Sequence, residues 1–453
     1  MDESTRQGVL FREDFAKSVH AVFDTDAATS DAGAVLLGAI DRRSGVTRTL
    51  AASLRDERQQ GKVRHAVEDL VRQRVFGIAL GLADCNDAER IAGDPVMKLL
   101  CGRSPITGDD LASQPTLSRF ENAPTAQELV AMQRGFEQSR LDVLCRRHRG
   151  VRRVVIDVDA TDDPTHGSQQ GALFNGFYGT WCYLPLVAFV SFAGDPEQYA
   201  VSARLRAGNA KSHRGAVPMV RRIVRGLRRR MGRVRILVRL DAGFASPTVF
   251  NALDALGVDY VVGTPSNPVL DRAAEPHMAK SRARVIATAA SAQTYGDFGW
   301  AARGWPRERR VVVKAEILVE PGKSLRDNAR FVVTNLPLSP EDVYTVYRQR
   351  GDSENRLKEL LLDLEMDRTS CSRFLANQLR VLFTLAAYAL YQDLRWHLRG
   401  QERLTVASLR LRLVKIGARV TESVRRVVLH LPVAHPWKDL FRRAARAVGA
   451  VPG

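Results

Sequence analysis

The spacing of apolar residues changes once along this chain, near residue 150, and that change limits the fold more than any other feature. Before it, apolar positions recur every three or four residues. Between residues 63 and 82, Val63, Ala66, Leu70, Val71, Val75, Ile78 and Leu82 follow the period of an amphipathic helix. Thr125 and Glu128 have capping-box spacing and open another, with Leu129, Met132, Phe136, Leu141 and Leu144 on its apolar side. The Gly-, Pro-, Ser- and Asp-containing stretch 102–124 reads as a loop or linker. After residue 150 the period is two. Val154, Ile156 and Val158 face one way, and Val155, Asp157 and Asp159 the other, as in a strand. Segments 183–192 and 199–205 read as two more strands that complete a meander.

The pattern then alternates. An arginine-studded helix over 218–231 precedes a strand over 234–241, a helix from Ser246-Pro247 to Leu256, and a strand over 258–263. A long helix is predicted over 340–364. This order predicts an α/β class with a mixed sheet, divided into five parts. Residues 1–145 form a helical N-terminal region, and 150–264 the first part of the core. Residues 265–338 form a β-rich insertion in which 310–319 and 330–336 alternate like strands. Residues 339–366 carry the last core helix, and 367–453 a helical C-terminal region with helices over 378–398 and 404–416.

Charge points to the partner. The 453 residues carry 68 basic against 50 acidic side chains, a net charge of +18, and 58 of the basic ones are arginine. Arginines cluster at Arg221 to Arg230, at Arg303 to Arg310 and at Arg425 to Arg446. A small anion needs one such cluster, whereas a long phosphate backbone uses several, and a guanidinium forks onto phosphate better than an ammonium does. At 45% apolar and 26% charged residues, the composition excludes a disordered or fibrous chain. The polar run after Met1 and the short apolar run 381–391 predict a soluble, non-secreted protein without membrane spans, cytoplasmic and associated with the nucleoid. Five scattered cysteines without a CxxC pair argue against a disulfide framework or a structural zinc site.

Two acidic residues fall at the carboxyl ends of predicted strands, the edge where open α/β sheets bind ligands: Asp159 and Asp241. In the last core helix Tyr347, Arg350 and Glu354 are spaced three and four apart, within an arc of roughly 60°, and Lys358 extends that stripe. Taken alone, the stripe reads first as an exposed salt-bridge ladder, Arg350 with Glu354 and Glu354 with Lys358. Asp157 is the alternative first carboxylate but sits deeper in its strand. Asp162 and Asp163 read as turn residues, His166 as a loop residue, and Trp300 and Trp305 as small-core aromatics or a stacking site for an unpaired base.

Together these residues resemble the acidic triad and YREK signature of DDE transposases of the IS4 type. The contexts Asp159-Ala160-Thr161-Asp162-Asp163-Pro164-Thr165-His166-Gly167, Phe174-Asn175-Gly176 and Thr180-Trp181-Cys182-Tyr183-Leu184-Pro185-Leu186 are similar to the IS1380 family in particular. So are Arg64-His65, residues 113–119 and the Asn377-Gln378-Leu379-Arg380 segment, and the resemblance spans about residues 60 to 400. The family's signature lysine falls at Leu361 here, with Lys358 one turn earlier as its candidate substitute.

The resemblance implies an RNase H-like catalytic core in which Asp159, Asp241 and Glu354 hold two Mg²⁺ ions, Mn²⁺ being able to substitute. Asp159 would bridge the ions, in keeping with the oxygen preference of hard divalent cations. Tyr347, Arg350 and Lys358 would contact DNA at the cut, and Arg228, Arg229 and Arg230 its backbone. The implied function is cut-and-paste transposition by a homodimer on two DNA ends. The helix face of Leu379, Leu382, Phe383, Leu385, Ala386 and Leu390 is a candidate subunit contact. Competing readings are an RNase H-like nuclease without strand transfer and a non-catalytic DNA-binding descendant.

Overall fold

The computed structural model describes residues 9–11, 16–17, 19–22, 24–211, 213–320, 324–399 and 404–451. Of the N-terminal helices, α1 (Val67–Ala79), α2 (Gln114–Asn122) and α3 (Ala126–Arg147) matter most here. The capping box ahead of α3 is formed: the Glu128 N–H donates to Thr125 Oγ1 at 3.3 Å, and the Thr125 N–H donates to Glu128 Oε2 at 2.8 Å.

Strand β1 (Arg153–Ala160) leads into a small sheet of β2 (Asp163–Pro164), β3 (Leu173–Asn175) and β4 (Thr180–Tyr183). Next come β5 (Leu186–Phe192), β6 (Gln198–Arg204), α4 (Ala216–Met231), β7 (Arg235–Leu240), α5 (Pro247–Leu256) and β8 (Asp259–Thr264). Helix α6 (Pro268–Thr288) and strands β9 (Ala292–Trp300), β10 (Arg309–Leu318) and β11 (Arg326–Thr334) follow. Last come α7 (Pro340–Arg348), α8 (Gly351–Lys358) and α9 (Phe374–His397).

Among the described residues, eight strands form one mixed sheet in the order β9-β10-β11-β8-β7-β1-β5-β6. Strands β1, β7 and β8 are parallel neighbours, and the remaining pairs are antiparallel. The expected alternation in β1 holds. Val154, Ile156 and Val158 pack in the core shared with α4, α5 and α6, while Val155 belongs to the opposite face, which α7 covers with Val343 and Tyr344. The meander of β1, β5 and β6 is as read from the sequence.

Four expectations need correction. Segment 102–124, read as a loop or linker, contains helix α2. Segment 265–338 is not a separate subdomain: β11 pairs with β8, so β9 to β11 widen the central sheet, and the segment begins with the 21-residue helix α6. Pro276 inside that helix and its lack of a clear apolar stripe concealed it. The N- and C-terminal regions are also not independent helical regions. Ala418–Ser423 pairs with both Arg426–His430 and Ala28–Thr29, and one core joins Leu37, Val75 and Met97 to Leu382, Leu390 and Leu413. Finally, α9 is buried on nearly all sides, so its face from Leu379 to Leu390 packs on its own chain and is not available to a second subunit.

The five cysteines are free thiols. Among the described residues no helix is long and apolar enough to cross a membrane.

One buried ion pair fastens α7 to the sheet. Arg239 Nε and Nη2 donate to the two carboxylate oxygens of Asp157, each at 2.8 Å, and Nη1 donates to the Val346 carbonyl at 3.1 Å. Removing one member leaves the other's charge buried without a partner, a cost of about 3–5 kcal/mol, whereas replacing both with apolar groups removes the buried charge altogether. Arg239→Met is therefore expected to lower the unfolding free energy by about that amount in urea titrations, and Arg239→Met with Asp157→Leu to recover most of it. A double variant as unstable as the single one would contradict this.

Candidate active site

The register of β1 and β7 places Asp157 opposite Arg239 and Val158 opposite Leu240. One residue further come Asp159, next to last in β1, and Asp241, just past the end of β7, both at the carboxyl edge of the sheet. Asp159 is buried. Its Oδ1 accepts from the Ala160 N–H at 3.0 Å, and its Oδ2 accepts from Arg350 Nη1 at 2.7 Å. Burial pushes its pKa up to about 6; Arg350 opposes that rise, and the charges of Asp241 and Glu354 add to it. Asp241 caps the turn Ala242–Phe244, accepting from the Gly243 N–H at 2.8 Å. Burial raises its pKa as well, against the pull of Arg350.

Glu354 arrives from α8 and is exposed; its Oε1 accepts from Arg350 Nη2 at 3.3 Å. One guanidinium thus bridges Asp159 and Glu354. The single long helix expected over 340–364 is broken at Gln349 and Arg350. There the Val346 carbonyl accepts from Arg239, and the Arg350 N–H, which a continuous helix would direct to Val346, bonds to the Tyr347 carbonyl at 2.9 Å. Both break residues keep right-handed helical dihedrals, φ −62° and ψ −11° at Gln349, φ −60° and ψ −31° at Arg350. The break is a kink, and α8 continues over the strand ends.

Tyr347 is half-buried, with its hydroxyl laid across Gly263 of β8. A methyl group at Gly263 would stand 2.5 Å from that hydroxyl and 2.9 Å from the Ala242 nitrogen. Gly263 is a site residue that sequence reading missed, since a strand-end glycine carries no signal of what crosses it. Lys358 is exposed at the end of α8, and Leu361 packs partly buried against the core within the π-helical turn Glu359–Asp363.

The structure does not bring Arg228, Arg229 and Arg230 to this site. They end α4, beside the start of β7, so a strand of ~20 Å separates them from Asp241. Arg228 donates to the Gly257 carbonyl at 3.0 Å, Arg229 to Gln138 at 2.9 Å and Arg230 to Asp142 at 2.6 Å. They tie α4 to α3 and to the end of α5, while Arg228 and Arg229 stay exposed to solvent. Trp300 and Trp305 lie at the same far edge, packed on each other and on Phe250. Asp157 is a structural ion-pair partner of Arg239. Asp163 is not a turn residue but a buried member of β2, whose carboxyl oxygens each accept from Thr369 Oγ1 at 2.9 Å.

The donor set suits a hard divalent cation. It consists of carboxylate oxygens alone, and a guanidinium already supplies the positive charge that Asp159 and Glu354 require. Among the described residues no group of three or more His, Cys, Asp or Glu side chains is placed to hold a metal ion.

Residues 11–452 match the family described as transposase DDE domain group 1. The chain belongs to the DDE transposases. No match to it was found among curated proteins. DNA is the substrate that membership in this family implies.

Close to the transposase's carboxylates, Asp163 gives a pH test. Burial pushes its pKa up to about 8, with Asp367 and Asp162 adding to the rise and the Thr369 hydroxyl opposing it. The folded state therefore holds a proton that the unfolded chain has released above about pH 4. The resulting stability is full below that value and is lost as pH rises through about 8. The melting temperature should fall between pH 5 and pH 8.5, and more shallowly in Asp163→Asn. Parallel curves for the two proteins would contradict the assignment.

Proposed function

We propose that this DDE transposase, of the IS4 type and the IS1380 family, binds the ends of an insertion sequence, hydrolyses phosphodiester bonds there and transfers the freed 3′-hydroxyl ends to target DNA. The observation that carries the reading is the pairing of Asp159 and Asp241 on adjacent parallel strands, with Arg350 linking Asp159 to Glu354. We assign the core to the RNase H-like class on the order of its meander and parallel strands.

Asp159, Asp241 and Glu354 would hold two divalent ions, Mg²⁺ or Mn²⁺. When bound, such ions activate the attacking oxygen and stabilise the leaving one. Asp159 must be ionised to serve, which its neighbours Asp241 and Glu354 oppose and Arg350 favours. Once Arg350 releases Asp159, its fork becomes available for a phosphate, with Tyr347 beside it and Lys358 further along α8. End binding falls to the joined terminal body. There a cavity of about 1490 Å³ is lined by Arg55, Arg58, Arg64, His65, Arg103 and Arg119, balanced in part by Asp109, Asp110 and Glu128. Two ends cut and joined together require two active sites, hence a homodimer on DNA.

Glu354→Gln keeps shape and removes charge. It should abolish Mg²⁺-dependent cleavage of end DNA, at least 100-fold by the usual cost of removing an electrostatic group at such a site, while DNA affinity stays within a few-fold. Equal loss of binding would make Glu354 structural. Cleavage without joining would favour the nuclease reading, and a single chain on one end that completes strand transfer, weighed by native mass spectrometry, would exclude the dimer.

A further inference from the structure

The small sheet beside the aspartates gathers several exposed aromatic rings in one place. β3 and β4 form a hairpin with Phe174 opposite Trp181, and its turn carries Phe177 and Tyr178. Phe177 is 89% exposed, Trp181 57% and Phe174 54%. The rings are arranged in two edge-on pairs: Phe174 and Trp181 with centroids 6.3 Å apart, and Phe177 and Tyr178 at 4.9 Å.

The tip is fixed rather than loose. Asn175 Oδ1 accepts from the N–H groups of Phe177 and Tyr178 at 3.0 and 3.3 Å, its Nδ2 donates to the Gly208 carbonyl at 2.7 Å, and the Gly179 N–H closes the turn on the Asn175 carbonyl at 2.8 Å. Gly179 has φ +66°, a conformation that glycine adopts without strain. Backbone and amide bonds thus hold these rings outward at a conformational cost already met before any ligand arrives.

Position and charge select the occupant. β1 runs from Asp159 straight into β2, which pairs with β4, so the hairpin grows from the catalytic strand. The Tyr178 phenol lies close enough to feel the charges of Asp162, Asp241 and Asp159. The segment under the hairpin, reached through the Tyr183–Ala207 bridge, presents Arg204, Lys211 and Arg214 to solvent. Exposed cations around a few rings suit an unpaired nucleotide: the rings take the base and the cations its phosphates.

We propose that the β3–β4 hairpin is a stacking platform for unpaired nucleobases of the DNA at the cleavage site, with Phe177 and Trp181 as its principal rings. This deepens the transposase reading and rests on it. The stacking site that the sequence offered at Trp300 or Trp305 would then lie at the opposite edge of the sheet, next to the aspartates.

The test compares two DNA probes, a fully paired duplex and the same duplex ending in three unpaired nucleotides, one of them 2-aminopurine. The wild-type chain should bind the unpaired end about 5- to 100-fold more tightly, from the worth of base–aromatic stacking, and quench its fluorescence. Phe177→Ala with Trp181→Ala should lose that preference and the quenching, keep its affinity for paired DNA and melt at the wild-type temperature, because both side chains are exposed. Glu354→Gln should keep the preference, since stacking does not depend on cutting. Equal binding of both probes by the wild type, or a preference that survives in the double variant, overturns the inference and leaves the proposed function standing. Failure to bind either probe overturns both. A wild-type dimer without DNA that becomes monomeric in the double variant would identify the patch as a subunit contact, and would overturn the inference as well.

Discussion

Two carboxylates at the same level of adjacent parallel strands repel each other, and burial makes that repulsion harder to screen. The pairing of β1 with β7 imposes this arrangement on Asp159 and Asp241, and the surrounding structure answers it with positive charge. Arg350 spans from Asp159 to Glu354, Tyr347 leans across Gly263, and the backbone N–H groups of Ala160 and Gly243 donate to the two aspartates. The site gathers anionic oxygen around a guanidinium, its present counter-charge.

That arrangement depends on a second, deeper pair. Arg239 neutralises Asp157 one step below the aspartates and, with its remaining donor, captures a carbonyl of α7. That bond lies at the break between α7 and α8, and Arg350, at the break, reaches Asp159. A buried ion pair is a weak source of net stability, since desolvation offsets its attraction. Here its further donor ties α7 to the sheet beside the aspartates.

Most of the central sheet was legible because its strands and helices keep clean periods: β1, β5 to β8, α4 and α5 stand within a few residues of their sequence-read bounds. Ser246 caps α5 as its Ser-Pro start implies, and α3 begins at its capping box. Helix α6 was not legible, because its apolar residues do not form a stripe and it contains Pro276. The joining of β9 to β11 to the core sheet was hidden for a different reason, since strand pairing across more than 60 residues leaves no local trace. At the site, the strand-end aspartates and the Tyr347, Arg350 and Glu354 spacing could be read directly. That Arg350 would face the carboxylates, and that Arg228 to Arg230 would also bond to α3 and the end of α5, could not, because a charged side chain's partner is chosen by tertiary contact and not by spacing. The outward rings of the β3–β4 hairpin were similarly unreadable, since alternation alone does not say which face a neighbouring segment will cover.

The account stands or falls on whether these carboxylates take divalent cations in place of Arg350. Crystals grown with Mn²⁺, measured at its absorption edge, test this directly. Anomalous density between Asp159 and Asp241, with Arg350 withdrawn from Asp159 and Glu354 turned inward, is the expected result. Density only elsewhere on the chain, with the Arg350 bridge from Asp159 to Glu354 intact at saturating Mn²⁺, would contradict it.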